Sequence, residues 1–249
     1  MKKKPKAILP TWQVPDSIHA FTTLRTGGVS QAPFDSFNLG DHVGDSVDDV
    51  MENRRLLTAQ FGLPQPPLFL AQTHSTKVIR LPYSGESVEA DAVYTNQANQ
   101  VCLVMTADCL PVLFVSQNGQ EIAAAHAGWK GLCDGILENT IAEFTCPTSE
   151  IQAWLGPAIG AKTFQVGQEV VDKFVAQNAQ AINAFVPDEK QPGKYLGDIY
   201  LLAKQHLNKL GITSISGGEH CTVSEPEKFF SYRRENRTGR MATLIWRSE

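Results

Sequence analysis

The sequence predicts an α/β layered domain with a mixed sheet. Three observations carry that prediction: apolar runs of strand length recur between residues 68 and 156, segments of helical spacing alternate with them, and no Ser/Gly/Pro linker divides the 249 residues. Hydrophobic residues make up 42% and charged residues 19%, a balance that supplies a core and excludes a disordered chain.

Residues 1–17, opening MKKKPKAILPTW, read as an extended N-terminal segment, because Pro10 cuts the apolar stretch too soon for a signal-peptide core. The turn formers of RTGGVSQAPFDSFNLGDHVGD (25–45) predict a long loop of the kind that borders sites. SVDDVMENRRLLTAQF (46–61) has helical spacing, with Val47, Val50, Met51, Arg54, Leu57 and Phe61 on its inward stripe. Strands are predicted at LFLAQTH (68–74), KVIRLPY (77–83), DAVYT (91–95), VCLVMTA (101–107), PVLFV (111–115), EIAAAH (121–126) and IQAWLG (151–156). Helices are predicted at GLCDGILENTIAEF (131–144), GQEVVDKFVAQN (167–178) and LGDIYLLAKQHLNKL (196–210). A second turn-rich loop covers 187–198, and FFSYRR (229–234) and MATLIW (241–246) form a closing strand pair.

Charge narrows the function classes. Lys and Arg total 22 against 26 Asp and Glu, so no basic field exists to recruit nucleic acid, and any anion must be met by a local cluster. No run is long enough to cross a bilayer, so no membrane partner is expected. The five cysteines are odd in number, scattered and without CxxC spacing, which argues for reduced thiols and a cytoplasmic protein. Nothing argues for more than a monomer.

The stretch TADCLPVLFVSQNGQEIAAAHAGW can be folded on paper. Asn118-Gly119 between two apolar runs predicts a type I′ hairpin, which pairs Gln117 with Gln120 and His126 with Pro111. Cys109, two residues before Pro111, then shares a face with His126, whose neighbours Ala124, Ala125, Ala127 and Gly128 leave room beside the ring. Such a pair could be a thiolate nucleophile with its base, two ligands of a metal with zinc preferred, or a buried thiol beside a packed histidine. Alone, His74 in QTHS reads as a strand-end histidine.

The motifs QTHSTKV, ADAVYTN, VMTADCLPVLF, AAHAGWKG, GPAIG, FQVGQEV and FFSYRRENRTGRMA, with TLRTGGVS and FNLGDHVGD before them, resemble the YfiH family from about Phe21 to Trp246. Its members carry the labels polyphenol oxidase, laccase-domain protein and purine nucleoside phosphorylase. The resemblance implies a single domain over residues 1–249, built as a four-layer α/β/β/α sandwich. It also implies a zinc held by His74, Cys109 and His126, the last two of which the hairpin already pairs. The implied activities are phosphorolysis of adenosine, inosine and methylthioadenosine, with phosphate as the second small-molecule partner, and deamination of adenosine.

A zinc with three protein ligands keeps an open position and brings a bound water's pKa near 7. The H-x-E and P-C-x-x-C signature of cytidine-type deaminases is missing, so a proton carrier must come from elsewhere. Asp91 and Asp108 are candidates, each equally readable as a turn or strand-end carboxylate. Arg54, on an apolar stripe, needs an anionic partner: either substrate or phosphate, or a core carboxylate. Gln72 lies on the face of His74 and could bind a base or ribose edge; Asn38, before a glycine turn, is a weaker substrate candidate. Within SYRRENRTGR, which holds Arg233, Arg234, Arg237 and Arg240, strand alternation lets only one of Arg233 and Arg234 enter a site, and Arg233 is the candidate. Trp129 reads better as packing than as a purine platform.

Three other functions compete. A metal-free Cys/His hydrolase of deamidase type would use Cys109 and His126 alone. A copper-dependent polyphenol oxidase, which makes copper a second cofactor candidate, follows the family label, although none of the six histidines has H-x-H spacing. A zinc-stabilised binding protein would use the metal only as a staple.

Overall fold

The computed structural model describes residues 4–249; the first three residues of the N-terminal segment lie outside the described residues. In chain order, β1 (Ala7–Ile8) and β2 (Ile18–Thr23) precede α1 (Val47–Phe61), and β3 (Val78–Arg80), β4 (Ala92–Thr95), β5 (Val101–Thr106), β6 (Leu110–Ser116) and β7 (Ile122–Ala127) come next. Then come α2 (Trp129–Asp134), α3 (Ile136–Ile141), β8 (Ile151–Leu155), β9 (Gln165–Gly167), α4 (Gln168–Gln177), β10 (Phe185–Pro187), β11 (Lys194–Gly197) and α5 (Ile199–Lys209). The chain closes with β12 (Ser214–Gly217), α6 (Tyr232–Glu235) and β13 (Met241–Arg247).

The two larger of three sheets stack between two helical layers, giving the α/β/β/α order; the third, β10-β11-β9, is small and antiparallel. The six-stranded sheet runs β12-β8-β6-β7-β4-β3 and is mixed; the four-stranded sheet runs β1-β2-β13-β5 and is antiparallel throughout. Strand alternation sorts the side chains into layers. On β5, Val101, Leu103 and Met105 pack with Leu57 of α1, while Cys102 and Val104 turn inward to meet Leu113 and Val115 of β6 and Ile122 and Ala124 of β7. On the far face, Val112, Phe114, Ala123 and Ala125 pack with the helical residues Leu132, Ile136, Val170 and Leu202. His126 therefore projects to the side of its strand that faces the second sheet.

The α1 boundaries result from its caps. Ser46 accepts a hydrogen bond from the Asp49 amide, Asp48 and Asp49 lie in the first turn, and Gly62 closes the helix at φ 64°. Its inward line differs from the predicted stripe: Val50, Asn53 and Leu57 are buried, whereas Val47 and Met51 are exposed. The cause is Asn53, whose amide donates to Ser30 Oγ and to the carbonyls of Ser36 and Asn38, and accepts from the Val29 amide. A polar residue so fully satisfied ties the 25–45 loop to the helix and rotates the apolar stripe.

Other departures have equally local causes. The predicted 131–144 helix breaks at Gly135, at φ 103°, into α2 and α3. Residues 68–74 make no strand, only an isolated bridge from Ala71 to Glu89. Gln72 occupies the free margin of β5 instead: its amide donates to the Met105 carbonyl (2.7 Å) and accepts from the Met105 N–H (2.7 Å), a side chain standing in for one rung of a ladder. The predicted strand over 229–234 is two buried phenylalanines followed by α6, because Ser231 accepts from the Arg234 amide and caps a helical turn. The predicted loop over 187–198 contains β11, and β2, unforeseen in the sequence, is central to its sheet.

Candidate metal centre

The β6–β7 hairpin has the predicted register, with Leu110 opposite Ala127 and Pro111 opposite His126. The turn differs from type I′: Gly119 alone of the Asn-Gly pair takes positive φ (70°), and its N–H donates to the Ser116 carbonyl. Continuing the register by one step places Gly128 across from Cys109, and the reason for glycine there is direct. A Cβ at position 128 would lie 2.5 Å from His74 Cδ2 and 3.0 Å from Cys109 Sγ. Both side chains occupy the volume a larger residue would fill.

His74 arrives from a loop. Its backbone is left-handed (φ 61°), an unusual conformation for a residue with a side chain, and Asp91 holds it there. The fully buried Asp91 carboxylate accepts from the backbone N–H groups of Thr73 (3.2 Å), His74 (3.0 Å) and Ser75 (2.6 Å) and from Ser75 Oγ (2.7 Å). It also pairs with His126 Nδ1 at 2.8 Å. One carboxylate thus orients both imidazoles and turns His126 Nε2 toward Cys109, the carboxylate–histidine support that metal ligands commonly have.

The donor atoms of His74, Cys109 and His126 lie within 4.8 Å of one another, and among the described residues no other group of three or more His, Cys, Asp or Glu side chains is so arranged. Cys109 Sγ lies 3.6 Å from His74 Nε2. Tetrahedral zinc, with bonds of about 2.0 Å to nitrogen and about 2.3 Å to sulfur, sets its S and N ligands roughly 3.6 Å apart, so this pair fits. One thiolate and two imidazoles suit zinc, and three ligands leave a fourth position.

Electrostatics favour ionised ligands. Burial pushes the Asp91 carboxyl up, but the hydrogen bonds from His126 and Ser75 outweigh it and hold the pKa at about 2. Burial likewise raises the Cys109 thiol, and the neighbouring His126 and His74 bring it down to about 6. For His126, burial pulls downward while Cys109 and Asp91 lift it to about 9. Without a metal, their mutual attraction and Asp91 favour a thiolate on Cys109 beside a protonated His126.

The three donors open into a cavity of about 460 Å³, walled also by His42, Gln72, Thr106, Tyr232 and Arg240. A second lobe of about 200 Å³, largely apolar, adjoins it across Cys109 and Tyr232 and is bordered by Trp129, Ile159, Phe164 and Ile199. A wider cleft of about 740 Å³ lies under the N-terminal segment around Trp12 and Gln152, away from these donors.

The remaining sequence candidates divide. Arg233 borders the apolar lobe, but from a helix, with its guanidinium donating to the Thr163 and Gln165 carbonyls. Asp108, in left-handed backbone (φ 93°), borders the same lobe with both oxygens committed, one to Thr222 Oγ1 (2.6 Å) and one to the Arg233 amide (2.7 Å). Neither Asp108 nor the buried Asp91 is a free proton carrier. Gln72 borders the main cavity, but its amide is spent on Met105.

Arg54 does not reach the cavity: its Nε donates to the Leu39 carbonyl, its Nη2 lies 3.2 Å from Asp41 Oδ2 but out of line for a hydrogen bond, and its guanidinium covers the Phe69 ring. Asn38 is fully buried and holds the loop, bonding to Gly40, Asp45 and the Arg240 amide. Trp129 does border the apolar lobe. Sequence reasoning passed over His42, Thr106 and Tyr232 as wall residues and left Arg240 within a charge run; the turn-rich loop before α1 and the arginine cluster were the available signals.

Residues 19–248 match the family described as multi-copper polyphenol oxidoreductase laccase. The chain is 64% identical to a purine nucleoside phosphorylase of Haemophilus influenzae, over 97% of this chain and 99% of that one. It is 51% identical to the purine nucleoside phosphorylase YfiH of Escherichia coli, over 97% and 98% of the two chains. Among solved structures, a Neisseria meningitidis protein matches with a TM-score of 0.92 at 45% identity, covering 98% of this chain and 99% of that one.

Proposed function

Because the chain belongs to the YfiH family, within the match to the polyphenol oxidoreductase laccase description, we propose that it is a zinc-dependent purine nucleoside phosphorylase that also deaminates adenosine. The observation that carries this reading is the convergence of His74, Cys109 and His126 on one point at the floor of a cavity of nucleoside size. Adenosine, inosine and methylthioadenosine are the proposed substrates, and the relatives' names favour phosphorolysis over oxidation.

Bound by these three residues, zinc would supply a Lewis-acid position and a water of lowered pKa. The protein's own groups do the rest. Asp91 keeps the proton of His126 on Nδ1, leaving Nε2 as a lone-pair donor, and fixes the His74 loop. The apolar lobe excludes water and offers Trp129 and Phe164 to a purine, while Tyr232 spans the two lobes and can contact both ends of a nucleoside.

Incubation of the protein with adenosine, with and without phosphate, tests the reading by tracking adenine, inosine and hypoxanthine. Adenine release that requires phosphate is expected, as is zinc in protein purified without added metal. If adenosine stays intact under both conditions in zinc-loaded protein, the nucleoside reading fails. Stoichiometric copper with phenol oxidation would favour the oxidase instead.

A further inference from the structure

Arg240 is set into the wall of the main cavity without an ion-pair partner, although Cys109 and Asp108 are near enough to act on its charge. Among the described residues no carboxylate lies within ion-pair distance of its guanidinium; Arg233, Arg237 and Arg247 share that lack, but of these four only Arg240 lines the main cavity. Only Nη1 is engaged, by the carbonyls of Thr238 and Gly239 (both 3.1 Å), which leaves Nε and Nη2 without a protein acceptor.

The position is built. The Arg240 amide donates to Oδ1 of the fully buried Asn38 (2.9 Å), and the side-chain stem lies on Gly40, where an added Cβ would come within 2.7 Å of Arg240 Cγ. A second wall residue is also incomplete. Thr106, 1% exposed, has a hydroxyl with no partner among the described residues, and it stands opposite Met241 in the β5–β13 register, beside Arg240. A half-buried guanidinium and an orphaned hydroxyl, next to a cluster that would be cationic with zinc bound, make a receptor for a tetrahedral oxyanion.

We propose that Arg240, with Thr106, binds the inorganic phosphate that attacks the nucleoside. This rests on the phosphorolysis reading. In that reaction a phosphate oxygen bonds to the anomeric carbon as the C1′–N9 bond breaks, and the bonding pair goes to the base together with the proton of hydrogen phosphate. An anchor on the wall beside the metal ligands places the phosphate in the same cavity as the ribose.

The test uses zinc-loaded full-length protein and inorganic phosphate. In Arg240→Gln the KM for phosphate should rise about ten- to hundredfold, the loss of one charge-assisted contact. The KM for nucleoside and the zinc content should stay near wild type, and Arg240→Lys should recover part of the loss. In wild-type protein, phosphate but not chloride of equal ionic strength should protect Arg240 from phenylglyoxal, read by peptide mass; this needs neither a variant nor turnover. Equal phosphate KM values in wild type and Arg240→Gln, or modification of Arg240 unaffected by phosphate, overturns the assignment while phosphorolysis stands. Protection without any base release upholds the anchor and sinks the phosphorolysis reading.

Discussion

Replacing Asp91 by asparagine changes one oxygen to an amide nitrogen, and the geometry around that carboxylate dictates the consequences. Five donors converge on it: three on Oδ2, from Thr73, Ser75 N–H and Ser75 Oγ, and two on Oδ1, from His74 N–H and His126 Nδ1. The asparagine carbonyl keeps most bonds by taking the Oδ2 place, which turns the amide N–H toward His126. Nδ1 must then accept, the ring proton moves to Nε2, and the nitrogen that faces Cys109 loses its lone pair. The amide also meets the His74 N–H donor to donor, weakening the hold on the left-handed turn. Loss of such support to a ligand typically costs 10- to 100-fold in metal affinity, about 1.4–2.8 kcal/mol. Zinc competition against a calibrated chelator, with circular dichroism as a check on folding, measures it. A folded Asp91→Asn protein with wild-type zinc affinity would refute the claim that this carboxylate fixes the tautomer.

The same geometry makes three other outcomes measurable. Gly128→Ala should displace His74 and lower zinc affinity by at least about tenfold with the hairpin intact, since Cβ would intrude to 2.5 Å; chelator titration reads the affinity and amide exchange the hairpin. Cys109→Ala should abolish bound zinc and base release together while the melting curve stays cooperative; full activity in this variant would exclude both the metal and the thiol from the chemistry. Zinc affinity should fall with acid. Below about pH 9 His126 carries a proton that must leave on binding, and below about 6 Cys109 carries another, so the fall steepens as the pH drops through 6. A pH-independent affinity from 5 to 8 would contradict it.

Two of the three donors were legible in the sequence because a hairpin is a local object. Asn118-Gly119 and two apolar runs set the register whatever the turn type, so Cys109 and His126 were paired before any fold was known. His74 was not, because its position depends on a carboxylate 17 residues further along the chain and on a backbone conformation that periodicity does not encode. The strand expected at 68–74 failed for a related reason: Gln72 already fills the backbone sites a strand would use. Arg54 was misassigned because hydrophobicity alone phased α1, whereas a satisfied buried Asn53 decides it. Arg240 was hidden because its importance comes from Asn38 and Gly40, some 200 residues earlier in the chain.

The Gln72 contact would couple metal retention at His74 to resistance to self-association. The same short segment carries the guard of an open sheet margin and, two residues on, a ligand. Loss of a bound metal would leave the His74 segment held chiefly by Asp91, and any slackening passed back to Gln72 would bare the Met105 backbone as a template for another copy's strand. Chelator-treated protein should then clump through β5, and a charged residue in place of Gln72 should keep it dispersed at the expense of a looser centre.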